Sequence, residues 1–183
     1  MNNKKISLIV AILSLVSIWY WQFRIDYTQL QSFLANKRWK EADIETSNLI
    51  LKLSGRALLN KLFNVDFNLQ NISCQELNTI DQLWVKYSEN RFGFTIQESI
   101  WQHIIEKRGS RDFAEFDEFT NRVGWSIKEY NKTYSELTFA INAPEGHLPS
   151  FLWMEKTTPL GSAVMDTGDV LFFRSKQCQI LKK

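Results

Sequence analysis

Apolar positions recur at helical spacing through most of residues 26–150. Leu30, Phe33 and Leu34 form a first stripe, and Thr28 with Gln31 has the spacing of a capping box at its start. The polar run at residues 36–38 ends that helix. A second helix starts near Trp39, carries Ala42, Leu49, Ile50 and Leu53, and stops at Gly55. Residues 58–71 mix apolar positions with asparagines and predict a short helix followed by a loop. Ser73 and Glu76 make a second capping box, ahead of Leu77, Ile80, Leu83, Trp84 and Tyr87 on one face. Residues 90–94 read as a turn punctuated by Gly93. Thr95 and Glu98 repeat the box. Ile96, Ile100, His103 and Ile104 follow as a stripe, with Trp101 and Ile105 beside it, and Gly109 ends the helix. Asp112 with Glu115 opens another, bearing Phe113, Phe116, Phe119 and Val123, and Gly124 closes it.

Periodicity fades beyond that point. Residues 126–138 are polar with interspersed tyrosines, and Pro144, Gly146 and Pro149 mark an irregular stretch. The chain is less helical from Phe151, and residues 170–173 suit a short strand or an extended packing segment. No internal repeat or low-complexity run is present. The pattern predicts an all-α, compact helical domain over residues 26–150. A hydrophobic segment at residues 1–25 precedes it, and a short irregular tail at residues 151–183 packs on it.

Residues 6–23 are uncharged, and about 18 such positions are the minimum for a spanning helix. Trp19, Tyr20 and Trp21 stand at the end of the run, where an aromatic belt meets headgroups. A secretory signal peptide is the rival reading, but no small-residue cleavage site follows, which favours an uncleaved membrane anchor. Lys4 and Lys5 lie before the segment; Arg24, Lys37, Arg38 and Lys40 lie after it. That balance places the domain on the stromal or cytoplasmic side.

Composition narrows the function classes. Hydrophobic residues make up 44% and charged residues 23%, which is globular rather than disordered. The formal net charge of +2 gives no electrostatic case for nucleic acid. With 7 Trp and 13 Phe the chain is rich in rings that stabilise cores and line apolar pockets. Cys74 and Cys178 are far apart, show no metal spacing, and read as free thiols.

Candidate chemistry is sparse. His103 falls on an apolar stripe, which suggests a buried, hydrogen-bonded ring, with axial ligation of a metalloporphyrin as the rival. His147 in the irregular stretch suggests a ring bonded to nearby backbone. Asp43 and Glu45 near a helix start complement the macrodipole. Asp81 suggests a salt bridge or a cap. No nucleophile elbow, P-loop or dinucleotide fingerprint occurs, and nothing points to catalytic residues or a metal site. The chain therefore reads as a binding protein and not an enzyme. Phe92 and Phe94 flank a glycine between helices, where one ring can turn inward and the other outward. Tyr130 and Tyr134 share a hydrophilic loop with Lys128 and Lys132. Rings and cations so mixed suit a flat apolar ligand with acidic edges. A solvated loop with two ordinary tyrosines accounts for the same pattern.

Five stretches, in order, resemble the tetrapyrrole-binding domain of the "genomes uncoupled" family. They are WKEADIET at residues 39–46, IDQLW at 80–84, then Tyr87-Ser88 with RFGFT at 91–95, Gln97, Ile100 and Trp101. VGW at 123–125 and APEGHLP at 143–149 complete the set. The resemblance covers residues 27–150. It implies an all-helical fold with a groove between two loops, which binds protoporphyrin IX or Mg-protoporphyrin IX without a permanent cofactor. It also implies a magnesium chelatase subunit as partner, in chlorophyll biosynthesis, in a plastid (chloroplast) or on a cyanobacterial membrane. By position, Arg91, Phe92 and Phe94 fall in the first groove loop; Lys128, Tyr130, Lys132 and Tyr134 fall in the second. Family members usually carry tryptophan and arginine in that second loop, where this chain has tyrosine and lysine. The alternative is a membrane-tethered interaction or signalling module that keeps the fold without porphyrin. An enzyme acting on a tetrapyrrole has no motif to support it.

Overall fold

The computed structural model describes residues 25–54, 72–108, 113–127, 130–150 and 177–178. Five helices dominate these residues: α1 (Thr28–Ala35), α2 (Trp39–Leu53), α3 (Cys74–Tyr87), α4 (Phe94–Arg108) and α5 (Phe113–Arg122). A two-stranded antiparallel ribbon follows, β1 (Ser126–Ile127) and β2 (Tyr130–Asn131), with Ile127 opposite Tyr130. A short 3-10 turn covers Tyr134–Glu136. The all-α expectation holds, with this small ribbon as an addition. The anchor segment 6–23, the short helix and loop of 58–71, and the segment 170–173 lie outside the described residues. Among the described residues no helix is long and apolar enough to cross a membrane.

Helix starts follow the sequence in part. Ser73 caps α3 as a full capping box: its Oγ accepts from Glu76 N at 3.2 Å, and Glu76 Oε2 accepts from Ser73 N at 3.2 Å. The box expected at Thr28 does not form. The Asp26 carboxylate, two residues earlier, takes the Thr28 N–H at 2.9 Å instead. Asp is a better N-terminal acceptor because its charge also meets the helix dipole. The Thr95 box is replaced by a longer-range device. Helix α4 starts at Phe94, and Asp81 of α3 accepts both the Thr95 N–H, at 2.9 Å, and the Thr95 hydroxyl. Asp81 is thus the cap interaction that its position suggested. Between α1 and α2, Lys37 adopts a left-handed φ of 56°, which stops the helix and turns the chain.

Helix α1 packs on α2 and α3, and α4 packs on α5. Two aromatic clusters fill the interior. In the first, Trp39 and Trp84 lie 6.1 Å apart, stacked, and Phe92 meets Trp39 edge-on at 5.5 Å. The buried Trp84 N–H is satisfied by Thr46 Oγ1 at 2.9 Å. In the second, Phe119 sits edge-on between Trp101 at 5.9 Å and Trp125 at 5.6 Å.

Cys74 and Cys178 form a disulfide, with Cα atoms 5.1 Å apart. This overturns the reading of both as free thiols. A lone pair 104 residues apart has no spacing that announces a bridge; only the fold brings the first residue of α3 to the tail.

Candidate functional site

The turn between α3 and α4 is built by Ser88. Its hydroxyl accepts the Phe92 N–H at 2.8 Å and the Arg91 N–H at 3.2 Å. Glu89 and Asn90 both take left-handed φ values, 56° and 64°, to reverse the chain. Gly93 follows at φ 130°, and a Cβ there would lie 2.8 Å from Asp81 Oδ1. Glycine is therefore required both by the backbone angle and by the approach of the capping carboxylate.

Residues 143–149 close over this turn. Gly93 N–H donates to Leu148 O at 3.0 Å, and Gly146 N–H donates to Arg91 O at 2.9 Å. Arg91 Nε donates to Ala143 O at 2.8 Å. The buried Gln97 amide donates to Gly146 O and Pro149 O, each at 2.9 Å. The first loop is consequently an interior structure. Phe92 is 0% and Phe94 1% exposed. The expectation that one of these rings turns outward is not met: both are drawn into the core, where neighbouring tryptophans and isoleucines offer more apolar area than a groove wall. Arg91 is half-buried, with its guanidinium at the edge of this loop.

His147 joins the two loops. Its ring is fully buried; Nδ1 lies 2.6 Å from Val123 O, and Nε2 accepts the Thr138 N–H at 3.2 Å. These bonds require the neutral tautomer with the proton on Nδ1. Burial pushes its pKa below the ordinary histidine value, and the Lys132 charge acts the same way against the Val123 bond. The structural role expected for His147 is what the fold shows. His103 is exposed, in contrast to its expected burial. It faces outward because Trp101 and Ile104 take the buried positions of α4.

The second loop is held at Lys132 and Tyr134, among other bonds. Lys132 N–H donates to Trp125 O at 2.9 Å, and its Nζ to Gly124 O at 3.0 Å, at the carboxyl end of α5, where a cation is favoured. Lys132 is half-buried. Tyr134 is also half-buried; its hydroxyl donates to Asp43 Oδ2 at 2.9 Å, and its ring meets Phe139 edge-on at 5.2 Å. Burial, then the Asp43 charge, pushes the Tyr134 phenol well above its ordinary pKa. Tyr130 pairs through its backbone with Ile127 in the ribbon. Lys128 lies outside the described residues.

Two residues of this region escaped the sequence reading. Lys40 is exposed on α2 with Nζ 5.9 Å from the Tyr134 ring and 5.5 Å from the Phe139 ring. Asp43 is fully buried rather than a helix-start charge. Spacing within α2 places Lys40 and Asp43 three residues apart on one side, but nothing local to α2 identifies the loop they meet.

The structure thus brings together Tyr134, Phe139 and Lys40 as a rim of two rings and a cation, and ties Lys132 to the end of α5. It sets Arg91 on the other loop and keeps Phe92 and Phe94 within. Among the described residues no cluster of three or more metal-ligating side chains occurs.

Known proteins resemble this chain in sequence and in fold. The chain is 31% identical over 127 residues to the tetrapyrrole-binding protein, chloroplastic, of Arabidopsis thaliana, covering 66% of this chain and 46% of that protein. It is 31% identical over 127 residues to the uncharacterized protein ycf53 of Porphyra purpurea, covering 69% and 50%. The chain therefore spans about half the length of these relatives. Among solved structures, ligand-free GUN4 of Arabidopsis thaliana matches with a TM-score of 0.60 at 28% identity, over 78% of this chain and 89% of that one. GUN4 from Chlamydomonas reinhardtii matches with a TM-score of 0.57 at 33% identity, over 78% and 88%. The GUN4-like family model matches residues 21–164, and the chain belongs to that family.

Proposed function

We propose that this protein binds a tetrapyrrole, protoporphyrin IX or Mg-protoporphyrin IX, and regulates magnesium chelatase in chlorophyll biosynthesis as a non-catalytic partner. The observation that carries the reading is the pair of half-buried rings with an exposed cation over them, on the family's fold. Tyr134 and Phe139 offer apolar faces, Lys40 offers charge beside them, and Lys132, two residues from Tyr134 in the chain, is a second cation of the same loop. A porphyrin is flat and apolar with two carboxylates on one edge, so it needs both. Tyr130 and Lys128 are candidates for the same ligand by their place in the sequence, and Arg91 supplies a cation from the first loop. Phe92 and Phe94 act from beneath, by fixing that loop. The name of the Arabidopsis relative supports the ligand class.

Lysine pairs with a carboxylate as a point charge, without the bidentate fork of arginine. This loop therefore depends more on ring contact than on directed ion pairs. The chloroplastic Arabidopsis relative supports a plastid setting, and residues 6–23 would tether the domain to a membrane there.

Titration of the chain with protoporphyrin IX, followed by tryptophan quenching, tests the ligand. Trp125 adjoins the ribbon and its N–H is bound to His147 O at 2.8 Å, so it sits where it reports on the second loop. Saturable quenching is expected; its absence overturns the reading. Addition of the chain to purified chelatase subunits should raise the rate of magnesium insertion. The second reading, a module that keeps the fold without porphyrin, is favoured by the commitment of Tyr134 and Lys132 to internal bonds. It predicts partner capture from membrane extracts that added porphyrin leaves unchanged.

A further inference from the structure

We propose that Asp43 is a positioning residue for the ligand rim: its buried carboxylate latches the Tyr134 hydroxyl and thereby holds the Tyr134 and Phe139 rings in place before any ligand arrives. The inference rests on the proposed tetrapyrrole reading for its purpose, but the latch itself is a property of the unliganded chain.

Asp43 is 0% exposed on α2. A buried carboxylate costs several kcal/mol unless hydrogen bonds satisfy it. Here Oδ2 accepts from the Tyr134 hydroxyl at 2.9 Å and from Ser150 Oγ at 3.1 Å, and Oδ1 accepts from Ser150 N–H at 2.6 Å. The two branches differ. The Ser150 branch fastens the end of the segment that covers the first loop. The Tyr134 branch reaches the 3-10 turn of the second loop, 91 residues away in sequence. A tyrosine at a loop surface ordinarily gives its hydroxyl to water; here it goes to a buried carboxylate.

The rest of the rim follows from that bond. With its hydroxyl end held by Asp43, the Tyr134 ring has one orientation, and Phe139 packs edge-on against it at 5.2 Å. Lys40, one turn before Asp43, brings its ammonium to 5.9 Å and 5.5 Å from the two ring centres. Helix α2 thus holds the rings from inside with an acid and offers a cation over them from outside. Ordering a side chain on binding carries an entropic cost, and a rim assembled in advance avoids it. The raised phenol pKa agrees with a hydroxyl that stays a donor through the physiological range.

The test compares Asp43→Asn, Tyr134→Phe, the double variant and Ser150→Ala in the full chain, with protoporphyrin IX as probe. Tyr134→Phe keeps the ring and removes only the latch, so it remains informative if Asp43→Asn folds poorly. Both single variants should raise the Kd by about tenfold, and the double by no more than either single, because one interaction is removed once. The Soret maximum of bound porphyrin should move in both and stay in Ser150→Ala; a lower folded fraction would reduce its amplitude, not its position. In the unliganded chain, amides of residues 132–137 should exchange faster in both latch variants and not in Ser150→Ala. Affinity within about twofold of wild type with unchanged exchange, or fully additive losses, overturns the proposal. If wild type binds no porphyrin, the proposed function falls, while faster exchange in the latch variants still upholds the latch.

Discussion

The two loops of the candidate site are built in opposite ways. The first, around residues 88–97, is welded into the interior: Ser88, Asp81, Gln97 and residues 143–149 bond it on every side, and Phe92 and Phe94 are core residues. The second, residues 126–137, is a short ribbon and a single 3-10 turn, held by the bonds of Lys132 and Tyr134. Aromatic residues in the first therefore act on stability, whereas Tyr134 in the second is half-buried and keeps part of its surface toward solvent. Loops that carry function sit on rigid supports, and here one loop is part of the support of the other.

The comparison makes unequal demands on the two loops. Phe92→Ala should cost about 3–5 kcal/mol of unfolding free energy, since it opens a cavity between Trp39 and Trp84. Chemical denaturation measures it; a loss below about 1 kcal/mol would mean that the first loop is an open wall after all. Reduction of Cys74–Cys178 releases a closure of 104 residues and should cost roughly 2–4 kcal/mol, read as a lower denaturation midpoint with reductant. That bridge fixes the start of α3, the helix that runs into the first loop. Lys132→Met should cost about 0.5–1.5 kcal/mol, for one bond to Gly124 O, yet weaken porphyrin binding more than Phe92→Tyr does. The opposite ranking in a titration would reverse the assignment of the loops.

The smallest effect is on pH dependence. His147 has a depressed pKa in the folded chain, so unfolding takes up a proton at mildly acidic pH. Its contribution is present above the unfolded value near 6.5 and is lost as pH falls through the folded value. Protonation would set a new N–H on Nε2 against the Thr138 N–H. Melting temperature should fall between neutral pH and the acid side of the histidine range. The fall should be smaller in His147→Gln, and the second loop, which Thr138 follows, should loosen first.

Local signals carried much of the fold. The Ser73 box, the break after Ala35 and the glycine after α5 each act within a few residues, and each stands where its spacing put it. His147 was legible because an irregular segment needs side chains to satisfy its backbone. What escaped depends on partners far along the chain. That both rings beside Gly93 turn inward is decided by distant partners such as Trp39, Trp84 and residues 143–149, not by the turn. Asp43 looked like a helix-start charge because Tyr134 and Ser150 are 91 and 107 residues away. The cysteine bridge is of the same kind. Composition identified the ring-and-cation character of the second loop but not Lys40, which enters it from another helix.

The closure by residues 143–150 also bears on how the protein is made. Synthesis runs from the amino terminus, and the acceptors waiting on this segment are early: Asp43 for Ser150, Arg91 O for Gly146. Until the ribosome has released Ser150, the Gln97 amide, the Gly93 N–H and the Asp43 carboxylate lack these bonds. A nascent chain shorter than that lacks the bonds that hold the first loop, so the turn between α3 and α4 stays within reach of proteases and chaperones until these eight residues have emerged.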